Sequence, residues 1–220
     1  MPTISSAITY TLGRGLYVAL TNRCNAGTSL IASRGPGFVI PAASGFRPLE
    51  ADPSPDQAIS AVEAALTNAD FDEVCFAGAG EPLLRLTCLE QVARQIRDAR
   101  PDITLRLNTN GLIPSSEADS VASRLKSAGI EATSVALATA DPTQYAELMK
   151  PQPLRYSPAF SLKLGHADVA AFIKACVATG MRVEATAVAA PGVDIDAAKE
   201  LSAELGASFR SRSWHPAVDE

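Results

Sequence analysis

Residues 73–82 read EVCFAGAGEP, and residues 104–111 read TLRLNTNG. Each stretch is a short run of apolar and β-branched residues that ends in Gly or Asn, which is typical of a strand followed by a loop. Four more runs of this kind begin, in chain order, at Leu16, Thr133, Arg182 and Ser208. The sequence therefore predicts six strands.

Amphipathic segments with helix-end signals separate these runs. Ser54 and Gln57 are spaced as a capping box around Pro55. Asp194 is placed to cap the last helix, and Gly206 stands where that helix should stop. Since each helix returns the chain across the sheet, the alternation predicts an α/β fold with parallel strands.

Periodicity alone leaves a closed barrel, an open doubly wound sheet and a partial barrel as alternatives. Two of the apolar strands carry polar residues at alternate positions. These residues are Arg106 and Asn108 in one strand, and Glu184 and Thr186 in another. A polar face inside a parallel strand favours a curved sheet around a lumen that is not fully packed.

Composition narrows the class of protein. The chain has 220 residues, a net charge of −5 and 47% hydrophobic residues, which is ordinary for a globular protein and argues against a nucleic-acid binder. No apolar run approaches the roughly 18 residues of a membrane helix. The four cysteines have no CxxC spacing, so we expect reduced thiols and a cytoplasmic location. The acid-free start leaves a targeting segment open, although the strand-like alternation of Ile4, Ile8, Tyr10 and Leu12 disfavours it.

Three polar motifs follow the first three strands. They are Thr21-Asn22-Arg23-Cys24-Asn25, Gly78-Ala79-Gly80-Glu81-Pro82 and Asn108-Thr109-Asn110-Gly111. Parallel α/β folds bind their ligands at the carboxyl ends of the strands. We therefore expect the functional site at this end of the sheet.

The segments LTNRCN, FAGAGEPLLR and LRLNTNGL, in this order, resemble the radical S-adenosylmethionine superfamily. The stretches ALATADPTQYAELMKP and AVAAPGVDIDAAKELSAELGASFRSRSW look like its TatD-associated branch. The resemblance implies a six-unit (β/α)6 partial TIM-type barrel of parallel strands. It predicts one domain over residues 1–220, with a core of about residues 16–214.

The family's defining motif, CxxxCxxC, supplies three thiolates to a [4Fe–4S] cluster. Cys24 matches the first position, but the other two positions are Thr28 and Ile31. A threonine hydroxyl is a poor iron ligand, and isoleucine has no donor atom. The remaining cysteines, Cys75, Cys88 and Cys176, are expected in a strand and on two helices. The sequence thus predicts that the cluster is absent and that Cys24 is a relic of a metal site.

The other family motifs imply a retained S-adenosylmethionine pocket. Gly78, Gly80, Glu81 and Pro82 match the GGEP-type motif that meets the amino group of S-adenosylmethionine. The ribose would meet polar side chains at Asn108 and Asn110, and the adenine would pack near Val188. Without the resemblance, Gly80-Glu81-Pro82 and Asn110-Gly111 are explained equally well as turns.

Three functions remain open at this point. The first is a pseudoenzyme that binds a small molecule or a protein partner, with no role for nucleic acid or membrane. The second is an enzyme of polar chemistry that uses Glu81 or Glu184 as acid or base. The third is a radical enzyme whose cluster is completed by another chain. For Glu184, a structural ion pair with Arg106 or Arg210 is the leading interpretation.

Overall fold

The computed structural model describes residues 7–152 and 164–217. Its seven strands form one mixed sheet in the order β1 to β7. The strands are β1 (Thr9–Leu12), β2 (Gly15–Val18), β3 (Glu73–Phe76), β4 (Thr104–Thr109), β5 (Ala132–Ala136), β6 (Arg182–Val188) and β7 (Ser208–Arg212). The helices are α1 (Pro55–Asn68), α2 (Leu86–Ala99), α3 (Ala118–Ser127), α4 (Pro142–Met149), α5 (His166–Ala178) and α6 (Ile195–Glu204).

The six strands predicted from the sequence are β2 to β7, and each begins within one residue of its predicted start. All five of their pairings are parallel, and the sheet order follows the chain order. The predicted α/β fold of parallel strands is therefore confirmed. This arrangement is that of a partial TIM-type barrel.

The first strand departs from the six-strand prediction. β1 contains Tyr10 and Leu12 from the predicted alternation, and it pairs antiparallel with β2. Only two residues connect the strands, and Gly13 adopts a φ of 59° in that turn. A connection this short joins antiparallel strands only. The sheet therefore begins with a hairpin; Ile4 lies outside the described residues.

Helix ends follow the predicted signals. Ser54 accepts a hydrogen bond from the backbone of Gln57, whose side chain accepts one from the Ser54 backbone N–H. At the other end of the chain, Asp194 caps α6 by accepting a hydrogen bond from Ala197 N–H. These caps determine where α1 and α6 begin, and therefore where the loops that precede them end.

The two faces of the sheet differ in chemistry. Leu105 and Leu107 of β4 are fully buried in the core that the sheet shares with the helices. Arg106 and Asn108 alternate with them on the opposite face. That face is the polar lumen expected from the sequence.

The longest helices in the described ranges, α1 and α2, have 14 residues each. None of the described helices has the length and apolarity needed to cross a membrane. The cytoplasmic location stays a prediction.

Candidate functional site

A cavity of about 500 Å³ opens on the lumen face at the carboxyl ends of the strands. β4, β5 and β6 contribute Asn108, Ser134 and Val188 to its wall. Because the strands are parallel, their ends meet at this one edge, which is where the sequence places its polar motifs. The cavity is thus the candidate ligand site.

The connection between β2 and α1 covers this cavity. Thr28, Ile31, Arg34 and Phe38 line it from one side, and Trp214 lines it from the chain's other end. Two backbone hydrogen bonds tie the cover to the tail, from Gly37 N–H to the carbonyl of residue 215 (3.1 Å) and from the N–H of residue 215 to the Arg34 carbonyl (2.9 Å). The cover is therefore part of the folded structure of the site.

Glu81 lies beside the cavity at the centre of a buried network. One carboxylate oxygen accepts hydrogen bonds from Leu83 N–H (3.0 Å) and the Thr109 hydroxyl (2.7 Å). The other accepts one from Asn110 N–H (2.7 Å). Burial raises the pKa of Glu81 to about 7, and the three donors oppose that rise. We call Glu81, Leu83, Thr109 and Asn110 the glutamate network.

Asn110 extends this network to the loop after β2. Its amide donates to Asn25 Oδ1 (2.7 Å) and to Cys24 Sγ (3.6 Å), and its Oδ1 accepts from Leu112 N–H (3.0 Å). Asn25 in turn donates to the Leu112 carbonyl at 2.9 Å. The three sequence motifs therefore meet, and their side chains bind one another.

Gly80 marks the closest approach between two of these motifs. A Cβ atom at Gly80 would stand 2.4 Å from the Arg23 carbonyl oxygen and 2.5 Å from that of Thr21. The next residue, Glu81, donates its backbone N–H to the same Arg23 carbonyl at 2.8 Å. Packing of the two chain segments therefore requires the glycine. The family motif had instead implied that a ligand approaches at this position.

The predicted ligand residues divide into two groups. Gly78, Gly80, Asn108 and Val188 border the cavity. Glu81, Pro82 and Asn110 are buried behind its described wall, where they contact the protein itself. Ligand contacts by either group stay a prediction.

The three positions of the cluster motif all lie in the connection between β2 and α1. Thr28 and Ile31 line the cavity, whereas Cys24 is mostly buried and its sulfur accepts hydrogen bonds from Ala26 N–H (3.4 Å) and Asn110. Burial raises the pKa of the Cys24 thiol, which favours the protonated form. Cys75 is in β3, and Cys88 and Cys176 are on helices. In the described part of the chain, no three His, Cys, Asp or Glu side chains are grouped to hold a metal.

Glu184 forms the ion pair expected of it, with Arg210 at 2.5 Å. Its side chain is 31% exposed, so this carboxylate is only partly buried. The alternative partner, Arg106, is instead paired with Glu73 at 2.5 Å.

Two arginines on the cavity wall were missed in the sequence analysis. Arg212 follows Arg210 at the two-residue spacing of a strand, and its guanidinium donates to Ser134 Oγ at 3.3 Å. Arg34 comes from the cover and donates to the Ser213 carbonyl at 3.2 Å. The alternation of Arg210 and Arg212 was the signal that could have found the first of them. We call Arg34 and Arg212 the arginine pair.

Comparison with solved structures finds the same fold. The radical S-adenosylmethionine methyltransferase TsrM from Kitasatospora setae, with cobalamin and a [4Fe–4S] cluster bound, matches 89% of this chain with a TM-score of 0.57 and 14% identity. TsrM with tryptophan substrate and the S-adenosylmethionine analogue aza-SAM matches 88% of the chain, again with a TM-score of 0.57 and 14% identity. The chain covers 34% and 35% of those two structures, about a third of their length.

No curated protein sequence matches the chain. At 14% identity, the likeness to TsrM shows the fold alone. The family evidence is a match to the model of the Radical SAM superfamily over residues 24–205, which is most of the 220 residues. This chain therefore belongs to the radical S-adenosylmethionine superfamily.

Proposed function

We propose that this protein binds a small adenosyl-type ligand in the lumen cavity and does not assemble a [4Fe–4S] cluster from its own thiols. The observation that carries the proposal is the donor set of the loop after β2. Of the three family positions, only Cys24 has a sulfur atom, and that sulfur is held by Ala26 and Asn110. One thiol does not fit a cluster that requires three protein thiolates.

The cavity itself supports a binding role. Its wall combines apolar groups such as Val188 and Ile40 with polar side chains such as Asn108 and Ser134. A concave, mostly apolar site with a few polar groups is the usual form of a small-molecule site. S-Adenosylmethionine and its relatives carry a flat aromatic base whose faces pack against apolar groups, polar ribose hydroxyls and a charged amino-acid end, so they match this mixture.

Affinity should be modest. The family's ligand is held both by the cluster iron and by the protein, and here only the protein contacts remain. A neutral hydrogen bond contributes about 0.5–1.5 kcal/mol, which must also offset the entropy of fixing a flexible ligand. We expect a binding free energy of about −4 to −6 kcal/mol, nearer the millimolar than the nanomolar range.

Polar acid–base chemistry has less support from the geometry. Glu81 has a pKa suited to proton transfer near neutral pH, but both carboxylate oxygens are bound by the protein. Glu184 is bound by Arg210. A pseudoenzyme that binds a metabolite or a protein partner is therefore our first choice. The assignment to the TatD-associated branch stays a prediction.

The test is iron and sulfide analysis after anaerobic reconstitution. The wild type should stay substoichiometric, whereas T28C/I31C should gain iron, sulfide and a brown absorbance. The matched control is S29C/A32C, which adds two thiols to the same loop in the wrong register and should stay colourless. A near-stoichiometric cluster in the wild-type chain alone would overturn the proposal.

A further inference from the structure

The charges around the lumen do not balance. Arg106 and Arg210 face Glu73 and Glu184 at 2.5 Å each, so these two guanidiniums are paired. In the described residues, no carboxylate oxygen lies within 4 Å of the arginine pair, Arg34 and Arg212. In the part of the chain that the structure describes, two lumen guanidiniums therefore have no carboxylate in ion-pair contact, in a protein whose net charge is −5.

The arginine pair is held by neutral groups only. Arg212 donates to Ser134 Oγ at 3.3 Å, and that hydroxyl donates in turn to Glu184 Oε1 at 3.2 Å, so a neutral group separates Arg212 from the carboxylate. The Arg34 guanidinium contacts the Ser213 carbonyl, the His215 ring at 3.4 Å and the face of Phe38 at 4.5 Å. Such contacts fix the position of a guanidinium without neutralising it. Both arginines border the 500 Å³ cavity.

Burial makes this arrangement costly. Desolvation lowers the pKa of Arg212 to about 10; repulsion from Arg210, Arg34 and Arg106 adds to this effect, and attraction to Glu184 opposes it. The pKa of Arg34 is lowered by desolvation and by repulsion from Arg210. The other charged side chains on the described wall, Glu147 and Lys150, are exposed and of opposite sign, so they leave the excess unchanged.

A residue with an unpartnered hydrogen-bond acceptor lies on the same wall. Asn108 is the Cα register partner of Ser134, the residue that Arg212 contacts. Its buried Oδ1 has no hydrogen-bond partner in the described structure. Buried polar atoms without partners are uncommon in folded proteins, and a cavity is where a ligand can satisfy them. Asn108 thus borders the cavity beside the cationic forks, and its amide oxygen is buried without a donor in the described structure.

We infer that the arginine pair forms an anion subsite of the cavity, which takes the carboxylate or phosphate of a small ligand that also offers a hydrogen-bond donor to Asn108. Guanidinium groups bind carboxylates and phosphates through paired N–H donors, and such charge-assisted bonds are stronger than neutral ones. The inference deepens the proposed function, since it names a contact for the acidic end of an adenosyl ligand. It also applies to a ligand without adenosine.

The test uses melting temperature and calorimetry on the full chain at constant ionic strength, with chloride as the reference salt. Inorganic phosphate should raise the melting temperature of the wild type and leave that of R212M unchanged. Because Arg212 is charged, desolvated and unpaired, R212M should melt higher than the wild type without phosphate. The control R182M removes an exposed arginine at the start of β6 and should respond to phosphate as the wild type does.

Two adenosyl probes separate the inference from the proposed function. S-Adenosylhomocysteine carries a carboxylate, and 5′-methylthioadenosine does not. In the wild type the first should bind about tenfold tighter, as one charge-assisted hydrogen bond allows, and R212M should remove the difference. R34M serves as the second variant should R212M fold poorly, and it should reduce the same two responses.

The outcomes are distinct. Equal binding of the two adenosyl probes without a phosphate response would overturn the anion subsite and leave the adenosyl proposal standing. An Arg212-dependent phosphate response without adenosyl binding would support the anion subsite and overturn the adenosyl proposal. A phosphate response that survives both R212M and R34M would also overturn the subsite.

Discussion

The glutamate network lies largely behind the wall of the cavity and the arginine pair lies on that wall, and the two treat their charges in opposite ways. In the network, three donors from three different residues bind the Glu81 carboxylate. On the cavity wall, Arg34 and Arg212 donate hydrogen bonds only to neutral groups in the described structure. The carboxylate of the family motifs is thus bound by the protein itself, and the arginines without a carboxylate partner lie on a strand and a cover outside those motifs.

This contrast has an energetic meaning. A buried polar group that is fully paired adds to the stability and precision of a fold, whereas one left unpaired costs free energy until something binds it. The network should therefore be sensitive to truncation in the empty protein. Truncation of Arg34 or Arg212 should not lower the stability of the empty protein and should weaken ligand binding instead.

The largest expected effect comes from Glu81→Ala. It leaves two backbone N–H groups and the Thr109 hydroxyl without their acceptor in the interior, at a cost of about 4 kcal/mol in the free energy of unfolding. Urea denaturation measures this, with Glu147→Ala at the exposed mouth of the cavity as the control. A loss no larger than that of the control would mean that the network does not support the fold.

The protonation of Glu81 gives the second effect. Its pKa rises from 4.5 to about 7 on folding, so the folded state binds the proton more tightly than the unfolded state. The stabilisation is present below about pH 4.5 and is lost as the pH rises to 7, at about 1.4 kcal/mol per pH unit and about 3 kcal/mol in all.

Urea denaturation from pH 4.5 to 8 checks this slope against Glu81→Gln, which has no proton to lose. The unfolding free energy of the wild type should fall with pH relative to the variant and then run parallel to it above pH 7. Parallel curves over the whole range would show that the three donors hold the pKa of Glu81 near its ordinary value.

Gly80 and Gly78 offer a matched pair within one turn. A Cβ at Gly80 would stand within 2.7 Å of three backbone atoms of residues 21–23, whereas one at Gly78 would meet the Ala19 side chain at 3.0 Å. Gly80→Ala should cost about 2–3 kcal/mol by overpacking, and Gly78→Ala about 1 kcal/mol or less. Equal melting temperatures for the two variants would contradict the close approach.

The sequence predicted most of this fold because its local signals agree with one another. The six parallel strands, the capping box at Ser54 and the cap at Asp194 are each decided within a few residues. The antiparallel pairing of β1 depends on reading Gly13 and its neighbour as a two-residue turn. Alternation alone does not give the direction of a strand.

The site was less predictable, because it depends on contacts between distant residues. That Glu81 binds Asn110 N–H, 29 positions away, follows from the parallel register and not from either motif. The meeting of Arg34 with the tail near Ser213 spans 179 positions. Resemblance to a family locates a pocket, but it does not say which motif residues still face it.

Asn110 and Asn108 provide the smallest and most direct comparison. They are the same residue type two positions apart, and the sequence assigns both to a ligand. Asn110→Ala removes the partner of Asn25 and of Leu112 N–H in the interior, so we expect a loss of about 2 kcal/mol in the unfolding free energy. Asn108→Ala removes an amide oxygen that has no partner, so it should cost about 0.5 kcal/mol or less in the empty protein. The order should reverse for S-adenosylhomocysteine binding, which calorimetry on both variants measures. A large stability loss in Asn108→Ala would show that Asn108 supports the fold. The arginine pair would then have no neighbouring acceptor for a ligand.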